Sequence, residues 1–81
     1  MRKKAIILEI VWNDISTYSG WHSPAEVDAF TTIECRSVGY LVGKTKACIK
    51  IAQSLNRGQV EPVGDVTVIS LSNVKKIKRL R

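Results

Sequence analysis

The stretch TTIECRSVGYLVGKTKACIKIAQS, residues 31–54, decides the fold. Residues 31–42 predict a long strand, Gly43-Lys44-Thr45-Lys46 a turn, and residues 47–54 a returning strand, because apolar residues alternate along both arms. With the turn centred at Lys44-Thr45, three apolar cross-strand pairs form the core face: Val42 with Ala47, Tyr40 with Ile49, and Val38 with Ile51. A hairpin in this register predicts a protein that is mostly β.

The opposite face of this hairpin is mixed and is expected to be partly solvated. It carries Ser37, Gly39, Leu41, Cys48, Lys50 and Ala52. The same register places Cys35 opposite Ser54, about 20 Å from Cys48, which is too far for a disulfide. We therefore expect two free thiols, as is usual in a reducing cytosol.

Upstream of this hairpin, residues 5–12 predict a first strand with Ile6, Leu8, Ile10 and Trp12 on one face. Residues 13–22 are polar and rich in turn formers, which predicts a loop. Ser23, Pro24 and Glu26 then make a capping box with proline at the first helical position. We expect a short helix over Pro24–Phe30 that plugs one end of a barrel.

Downstream, two turns are predicted, at Asn56-Arg57-Gly58 and at Pro62-Val63-Gly64-Asp65. A fourth strand follows over residues 66–71, a tight turn over 72–74 and a fifth strand over 75–80. The order predicts a single domain, residues 1–81, folded as a small SH3-like or Sm-like five-stranded barrel with one short helix in the first long loop. In such barrels the last strand pairs with the first.

The positive charge of the chain is concentrated at its two ends. The net charge is +6, and residues 5–74 carry five basic and seven acidic side chains, so the ends supply the whole excess. Pairing of the first and last strands would gather these cations into one patch, and exposed aromatics beside it would offer stacking surfaces. The candidate ligand-binding residues are Lys3, Lys4, Tyr18, Trp21, His22, Arg36, Lys76, Lys78 and Arg79. For Trp21 and Tyr18, packing of the loop onto the barrel remains the alternative; Trp12 is expected to end the core face.

Several other classes of protein are not supported by the sequence. The apolar run of residues 5–12 is too short for a membrane span, and two cysteines and one histidine lack metal-ligand spacing, so neither a metal nor a cofactor is expected. The segment Gly39–Thr45 has three residues between its glycines where a phosphate-binding loop needs four. The only histidine, His22, lies in a polar loop, and the neighbouring Ser23 is accounted for as the predicted N-cap of the helix, so we expect no catalytic residues and no enzyme.

The chain resembles a group of small phage-encoded accessory proteins of uncharacterised function. The resemblance rests on four features in order: Trp12-x-Asp14, Gly20-Trp21, the run from Cys35 to Leu41, and Asp65-Val66-x-Val68-Ile69 with Val74, Ile77 and Leu80 behind it. Ser70 stands where the group commonly has a proline. The resemblance implies an accessory protein acting in the bacterial cytoplasm, and it implies no activity and no site.

These observations favour a non-enzymatic binding protein that forms homo-oligomers and captures an anionic nucleotide-type ligand, with sequestration of a nucleotide signal of host defence as the phage-type function. A small core favours association between copies. The first alternative is a small barrel that binds nucleic acid through the same patch. The second is an inhibitor that docks onto a host protein through Trp21 or an exposed strand edge.

Overall fold

The computed structural model describes residues 5–56 and 62–80. In chain order the elements are β1 (Ile7–Asp14), α1 (Pro24–Ala29), β2 (Ile33–Lys44), β3 (Cys48–Leu55), β4 (Val63–Ser70), a 3₁₀ turn (Leu71–Asn73) and β5 (Val74–Leu80). The expectation of a mostly-β protein with five strands and one short helix in the first long loop is confirmed. The turn expected at Asn56-Arg57-Gly58 lies largely outside the described residues.

All five strands belong to one antiparallel sheet in the order β4-β3-β2-β1-β5. The expected pairing of the last strand with the first is present, with Ile10 opposite Ile77. Among the described residues no pairing joins the two edge strands, β4 and β5, so the sheet remains open.

The sheet is strongly curved, because a three-residue 3₁₀ turn connects its two edge strands. In a flat sheet the outer strands would lie about 19 Å apart, at about 4.8 Å per neighbour. The four Cα–Cα steps from Ser70 to Val74 span at most about 15 Å. The two edges must therefore approach each other where β4 ends and β5 begins.

The core lies on the concave side of this curved sheet. It contains Leu8, Ile10, Ile49, Ile51 and Ile69, and Ile10 and Ile51 have no exposed surface. Further apolar residues pack partly buried against this cluster: Ile6, Trp12, Leu41, Leu71 and Val74. No second layer is present in the described part of the chain, so curvature alone encloses these side chains.

The alternation expected for the first strand is confirmed. Leu8 and Ile10 are buried, and Trp12 closes the row by packing against the core. The Trp12 indole Nε1–H donates a hydrogen bond of 3.0 Å to Ser37 Oγ, which satisfies its polar atom. The strand itself begins and ends two residues later than expected.

The expected register of the β2–β3 hairpin is wrong. Tyr40 pairs with Ala52 and Leu41 with Ile51, and a β-bulge follows between Leu41 and Gly43. The turn therefore lies later in the chain than Lys44-Thr45. Thr45 holds it, because its backbone N–H donates to the Cys48 carbonyl at 2.8 Å while its Oγ1 accepts from the Ala47 and Cys48 N–H groups.

This shift exchanges the two faces of β2. Leu41 packs on the core and Gly39 is buried, whereas Val38 is exposed. The predicted core position of Val38 and Tyr40 is thus incorrect, although Ile49 and Ile51 on β3 are core residues as expected. An odd change in register moves every side chain of one strand to the other face, which is what has happened here.

The short helix begins as expected and ends one residue earlier, at Ala29. Its capping box is complete: Ser23 Oγ accepts the Glu26 N–H at 3.2 Å, and Glu26 Oε1 accepts the Ser23 N–H at 3.1 Å. The expectation that this helix plugs one end of a barrel is wrong, because every residue of α1 is exposed.

Strand β4 begins at Val63, within the segment expected to turn. The chain continues through Asp65, whose φ of 55° lies in the left-handed region that aspartate tolerates better than most residues. A local backbone irregularity thus replaces the predicted turn, and the strand gains three residues at its start.

Cys35 and Cys48 are free, half-buried thiols. Cys35 lies opposite Trp12 on the core side, and Cys48 neighbours Ile49, so its side chain points to the other face. The sheet therefore separates the two thiols. The distance argument from the expected register does not apply, because that register is wrong.

Candidate functional site

The convex side of the sheet faces away from the core, and no element of the described residues forms a second layer over it. Directly paired residues on neighbouring strands share a face, so the pairing register assigns side chains to this side. We call it the outer face. It consists of Ile7, Glu9 and Val11 on β1, Glu34, Arg36, Val38 and Tyr40 on β2, Cys48, Lys50 and Ala52 on β3, Val66, Val68 and Ser70 on β4, and Lys76, Lys78 and Leu80 on β5.

One row of the outer face is apolar from edge to edge. Consecutive pairings across the five strands align Leu80, Ile7, Tyr40, Ala52 and Val66. Ala52 is fully buried although it points away from the core, while Val66 keeps 45% of its surface exposed. The row is thus a half-covered apolar band with one aromatic ring in it.

The other end of the outer face is basic. Arg36 on β2 and Lys76 on β5 both pair with Val11 of the strand between them, so their backbones lie about 10 Å apart. Lys78 lies two residues along β5, opposite Glu9. Arg36, Lys76 and Lys78 are all exposed. Residues separated by forty positions in the sequence therefore share one surface, which we call the basic end.

Acidic groups neutralise this surface only in part. The outer face carries four cations, Arg36, Lys50, Lys76 and Lys78, against two carboxylates, Glu9 and Glu34. Glu34 accepts a hydrogen bond of 2.7 Å from Lys75 Nζ. The hydrogen bond and the charge of Lys75 lower the pKa of the Glu34 carboxyl below its ordinary value. Lys75 thus neutralises the charge of one of these carboxylates, and the basic end keeps a net positive charge.

Of the other basic candidates, only Arg79 lies within the described residues, and it does not belong to the basic end. Arg79 pairs with Leu8, so its side chain starts on the concave side, at the β5 edge. Lys3 and Lys4 lie outside the described residues. Of the basic patch predicted from both ends of the chain, the described residues contain Lys76 and Lys78, and Arg36 lies beside them.

The remaining candidates lie on the β1–β2 connection, residues 15–32, which we call the arm. None of its residues is buried, and only Ser16, His22 and Phe30 are half-buried. The described chain measures 59 Å along its longest axis and 22 and 21 Å along the others. β2 alone spans about 40 Å, which is less than the 59 Å length. Because the arm joins the end of β1 to the start of β2, it extends beyond that end of the sheet.

The arm is held together by its own aromatic cluster. The rings of Tyr18 and Phe30 stack with centroids 3.9 Å apart, and His22 meets Phe30 edge-on at 4.9 Å. The Tyr18 hydroxyl donates to the Thr31 carbonyl at 3.2 Å. Tyr18 and His22 therefore already have structural roles within the arm.

Polar contacts of His22 and Glu26 complete the arm. His22 Nε2 lies 2.8 Å from the Ser19 carbonyl oxygen, and its Nδ1 lies 3.6 Å from Glu26 Oε2. Hydrogen bonds from the Ser23 backbone, the Ser23 hydroxyl and His22 lower the pKa of the Glu26 carboxyl. The arm is thus a small preorganised unit rather than an irregular loop.

Trp21 is the exception within the arm, because its side chain is fully exposed. Packing of Trp21 onto the sheet, which the sequence left open, is therefore incorrect. Ile15 and Val27 are exposed beside it along the arm. Among the described residues, no hydrogen bond, ion pair or ring contact joins Tyr18, Trp21 or His22 to the basic end.

Two residues of the outer face were missed as candidates from the sequence. Tyr40 was assigned to the core by the wrong hairpin register, and Lys50 was assigned to a solvated face without a role. The bulge after Leu41 is what brings Tyr40 beside Ala52, and no residue pattern in the hairpin announces it.

No group of three or more histidine, cysteine, aspartate or glutamate side chains comes together in residues 5–56 and 62–80. Within those ranges, no helix has the length and apolar character needed to cross a bilayer.

Comparisons with known proteins return nothing for this chain. No protein-family model matches the sequence, and no curated protein and no solved structure matches it either. The resemblance to small phage proteins therefore stays a prediction.

Proposed function

We propose that this protein is a non-enzymatic binding protein that captures an anionic nucleotide-type ligand on its outer face. One observation carries the proposal: Arg36, Lys76 and Lys78, distant in sequence, share the basic end, next to an apolar row that contains Tyr40. Cations that converge on an open surface attract phosphate groups, and an aromatic ring nearby offers a stacking surface for a base.

The separation of the two parts suits a nucleotide. Tyr40 and Arg36 lie four residues apart on β2 and on the same face, which is about 13 Å. A nucleotide lying along β2 can rest its base on the apolar row while its phosphates reach the basic end. The guanidinium of Arg36 would bind a phosphate in bidentate fashion, with the two lysines as further point charges.

The finer architecture that we propose is an SH3-like barrel. Two features support it: the 3₁₀ turn that connects the edge strands, and the pairing of β5 with β1. The resemblance to small phage proteins further supports a role in the host bacterial cytoplasm, where such a protein could sequester a nucleotide signal of host defence. We also propose that the protein forms homo-oligomers, since a core of five buried large side chains is small.

The only histidine in the sequence, His22, takes part in contacts within the arm, which agrees with a binding role. The His22 ring is engaged by the Ser19 carbonyl, Glu26 and Phe30 within the arm. These contacts give it a structural part in holding Phe30 and Glu26 in place. We therefore assign no catalytic residue.

The proposal is tested by identifying what the protein carries. The protein is purified from phage-infected bacteria, denatured, and the released small molecules are identified by mass spectrometry. A stoichiometric nucleotide is expected from the wild type and a sharply reduced amount from Lys76→Glu/Lys78→Glu. The matched control is Lys44→Glu/Lys46→Glu, which makes the same change in net charge at the exposed hairpin end. Equal capture by both double variants would refute the assignment of the basic end.

The dependence on salt separates the rival functions. A nucleic acid whose phosphates replace many counterions loses affinity steeply as salt rises, whereas a single nucleotide loses much less. A steep loss would assign the basic end to nucleic acid. If neither a nucleotide nor a nucleic acid is bound and the double variants behave like the wild type, docking onto a host protein becomes the better assignment.

A further inference from the structure

The arm exposes more apolar surface than a structure of its size needs. Trp21 is fully exposed, Ile15 keeps 78% of its surface exposed and Val27 keeps 52%. The aromatic stack and the capping box hold the arm in shape without using any of these three side chains. Preorganised surface of this kind, with a tryptophan at its tip, is typical of an interface.

The outer face presents a second apolar surface. Val38, Val66 and Val68 are 44%, 45% and 59% exposed; Val66 belongs to the apolar row, and Val38 and Val68 lie on its two sides. In the described residues nothing covers these valines. The molecule therefore has two exposed apolar surfaces, one on the arm and one on the sheet.

The charges of these two surfaces are complementary. The arm, residues 15–32, contains two acidic residues, Glu26 and Asp28, and no lysine or arginine. Its net charge is therefore −2 with His22 neutral. The outer face carries four cations against two carboxylates, one of which Lys75 already holds. An acidic apolar arm fits a basic apolar face, and both belong to this chain.

We infer that the arm of one copy packs on the outer face of a second copy, and the reciprocal contact forms a two-fold dimer. A two-fold axis uses each contact twice, so every protomer contributes one arm and one face. The intrachain alternative is disfavoured by the position of the arm, which extends past the end of the sheet from the start of β2.

This arrangement completes the ligand site described above. In the dimer, Trp21 of one copy lies against the outer face of the other, where it can cover a base held on the apolar row. The site is then composite, with cations from one copy and the stacking tryptophan from its partner. This second step rests on the proposed capture of an anionic ligand, whereas the dimer deepens the proposed homo-oligomerisation and does not depend on a ligand.

The dimer is tested by sedimentation equilibrium of the full chain with no ligand present. The wild type is expected to dimerise, and Trp21→Ala to raise the dimer dissociation constant by about thirtyfold or more, as for the loss of a central interface tryptophan. Trp21 packs on nothing in the part of the chain that the structure describes, so this variant is expected to keep its fold, which circular dichroism checks.

Charge variants test the other half of the contact. Asp28→Lys and Lys76→Glu/Lys78→Glu are each expected to weaken dimerisation, while Lys44→Glu/Lys46→Glu leaves it unchanged. A monomeric wild type, or a Trp21→Ala variant that dimerises as tightly as the wild type, would overturn the inference. A dimer lost in Val68→Lys while Trp21→Ala and Asp28→Lys dimerise like the wild type would place the interface on the outer face without the arm, which would also overturn the inference. Dimerisation is measured here without a ligand. The inferred dimer can therefore be refuted while the capture of an anionic ligand is confirmed, and ligand capture can be refuted while the dimer is confirmed.

Discussion

Gly39 occupies the point where β2 passes closest to β3. A Cβ atom at this position would lie 2.9 Å from the Ala52 carbonyl oxygen and 3.1 Å from Ile51 Cβ. Neither neighbour can move freely, because Ile51 and Ala52 are fully buried and paired on both sides. The side-chain hydrogen of glycine is therefore required for the hairpin to close over the core.

Gly39→Ala is expected to destabilise the protein by about 1–3 kcal/mol, the usual cost of overpacking a filled core. The measurement is the free energy of unfolding from urea titration. Gly64→Ala is the matched control, because its Cβ would meet only Ser54 Cβ at 3.4 Å, an ordinary contact. Equal destabilisation by the two variants would contradict the close approach at Gly39.

The pair between Glu34 and Lys75 links the start of β2 to the start of β5. Lys75 holds the pKa of the Glu34 carboxyl below its ordinary value of 4.5. A lowered pKa in the folded state means that the pair contributes stability above the unfolded pKa. That contribution begins to decline as the pH falls below about 4.5 and is lost as the pH falls through the lower pKa of the folded state.

Lys75→Gln is expected to raise the Glu34 pKa back towards 4.5, which NMR titration of the carboxyl carbon measures. Lys76→Gln removes the same charge from the adjacent residue and is expected to leave the Glu34 midpoint nearer to that of the wild type. Equal shifts in the two variants would mean that long-range charge, rather than the 2.7 Å hydrogen bond, sets this pKa.

At the scale of elements, the arm folds on a small cluster of its own. Phe30 is the centre of that cluster, since both Tyr18 and His22 contact its ring. Because α1 buries none of its residues, the sheet contributes little to holding the arm in place. The arm should therefore lose its structure independently of the sheet.

Phe30→Ala is expected to unfold the arm locally while the sheet keeps most of its stability. Amide hydrogen exchange measures this: protection of the α1 amides should fall, and that of the Ile10 and Ile51 amides should change little. Val27→Ala is the control, because Val27 is exposed and takes no part in the stack. Loss of protection throughout the sheet would show that the arm and the sheet unfold as one unit.

At the scale of the whole molecule, two variants that do not bind the ligand are expected to complement each other in a mixed dimer if the ligand site is composite. Trp21→Ala lacks a functional arm, and Lys76→Glu/Lys78→Glu lacks a functional face. In a mixed dimer, one of the two sites combines the intact arm of one chain with the intact face of the other. Neither variant alone has such a site.

At protein concentrations high enough for both variants to dimerise, an equimolar mixture is expected to recover about a quarter of the wild-type sites, since random exchange makes half of the dimers mixed and each has one intact site of two. The readout is binding of the nucleotide identified by mass spectrometry. The control is the same pair of proteins measured before subunit exchange. No recovery after exchange would place the arm and the basic end of a site in the same chain.

Local sequence signals determined much of the secondary structure. The capping box at Ser23 and Glu26 and the alternation of β1 act over a few residues, so they can be read without the fold. The pairing of β1 with β5 also followed from the order of the elements.

Tertiary structure alone decided the register of the central hairpin and hence the content of both faces. The bulge after Leu41 shifts β2 against β3, and that shift moves Tyr40 out of the core and Gly39 into it. Both registers present apolar alternation, so the sequence pattern does not distinguish them. The close packing of Gly39 against Ile51 and Ala52 across the hairpin selects one, and alternation along either strand does not encode that contact. The basic end has the same origin, because Arg36 and Lys76 become neighbours only when β1 pairs on both of its sides.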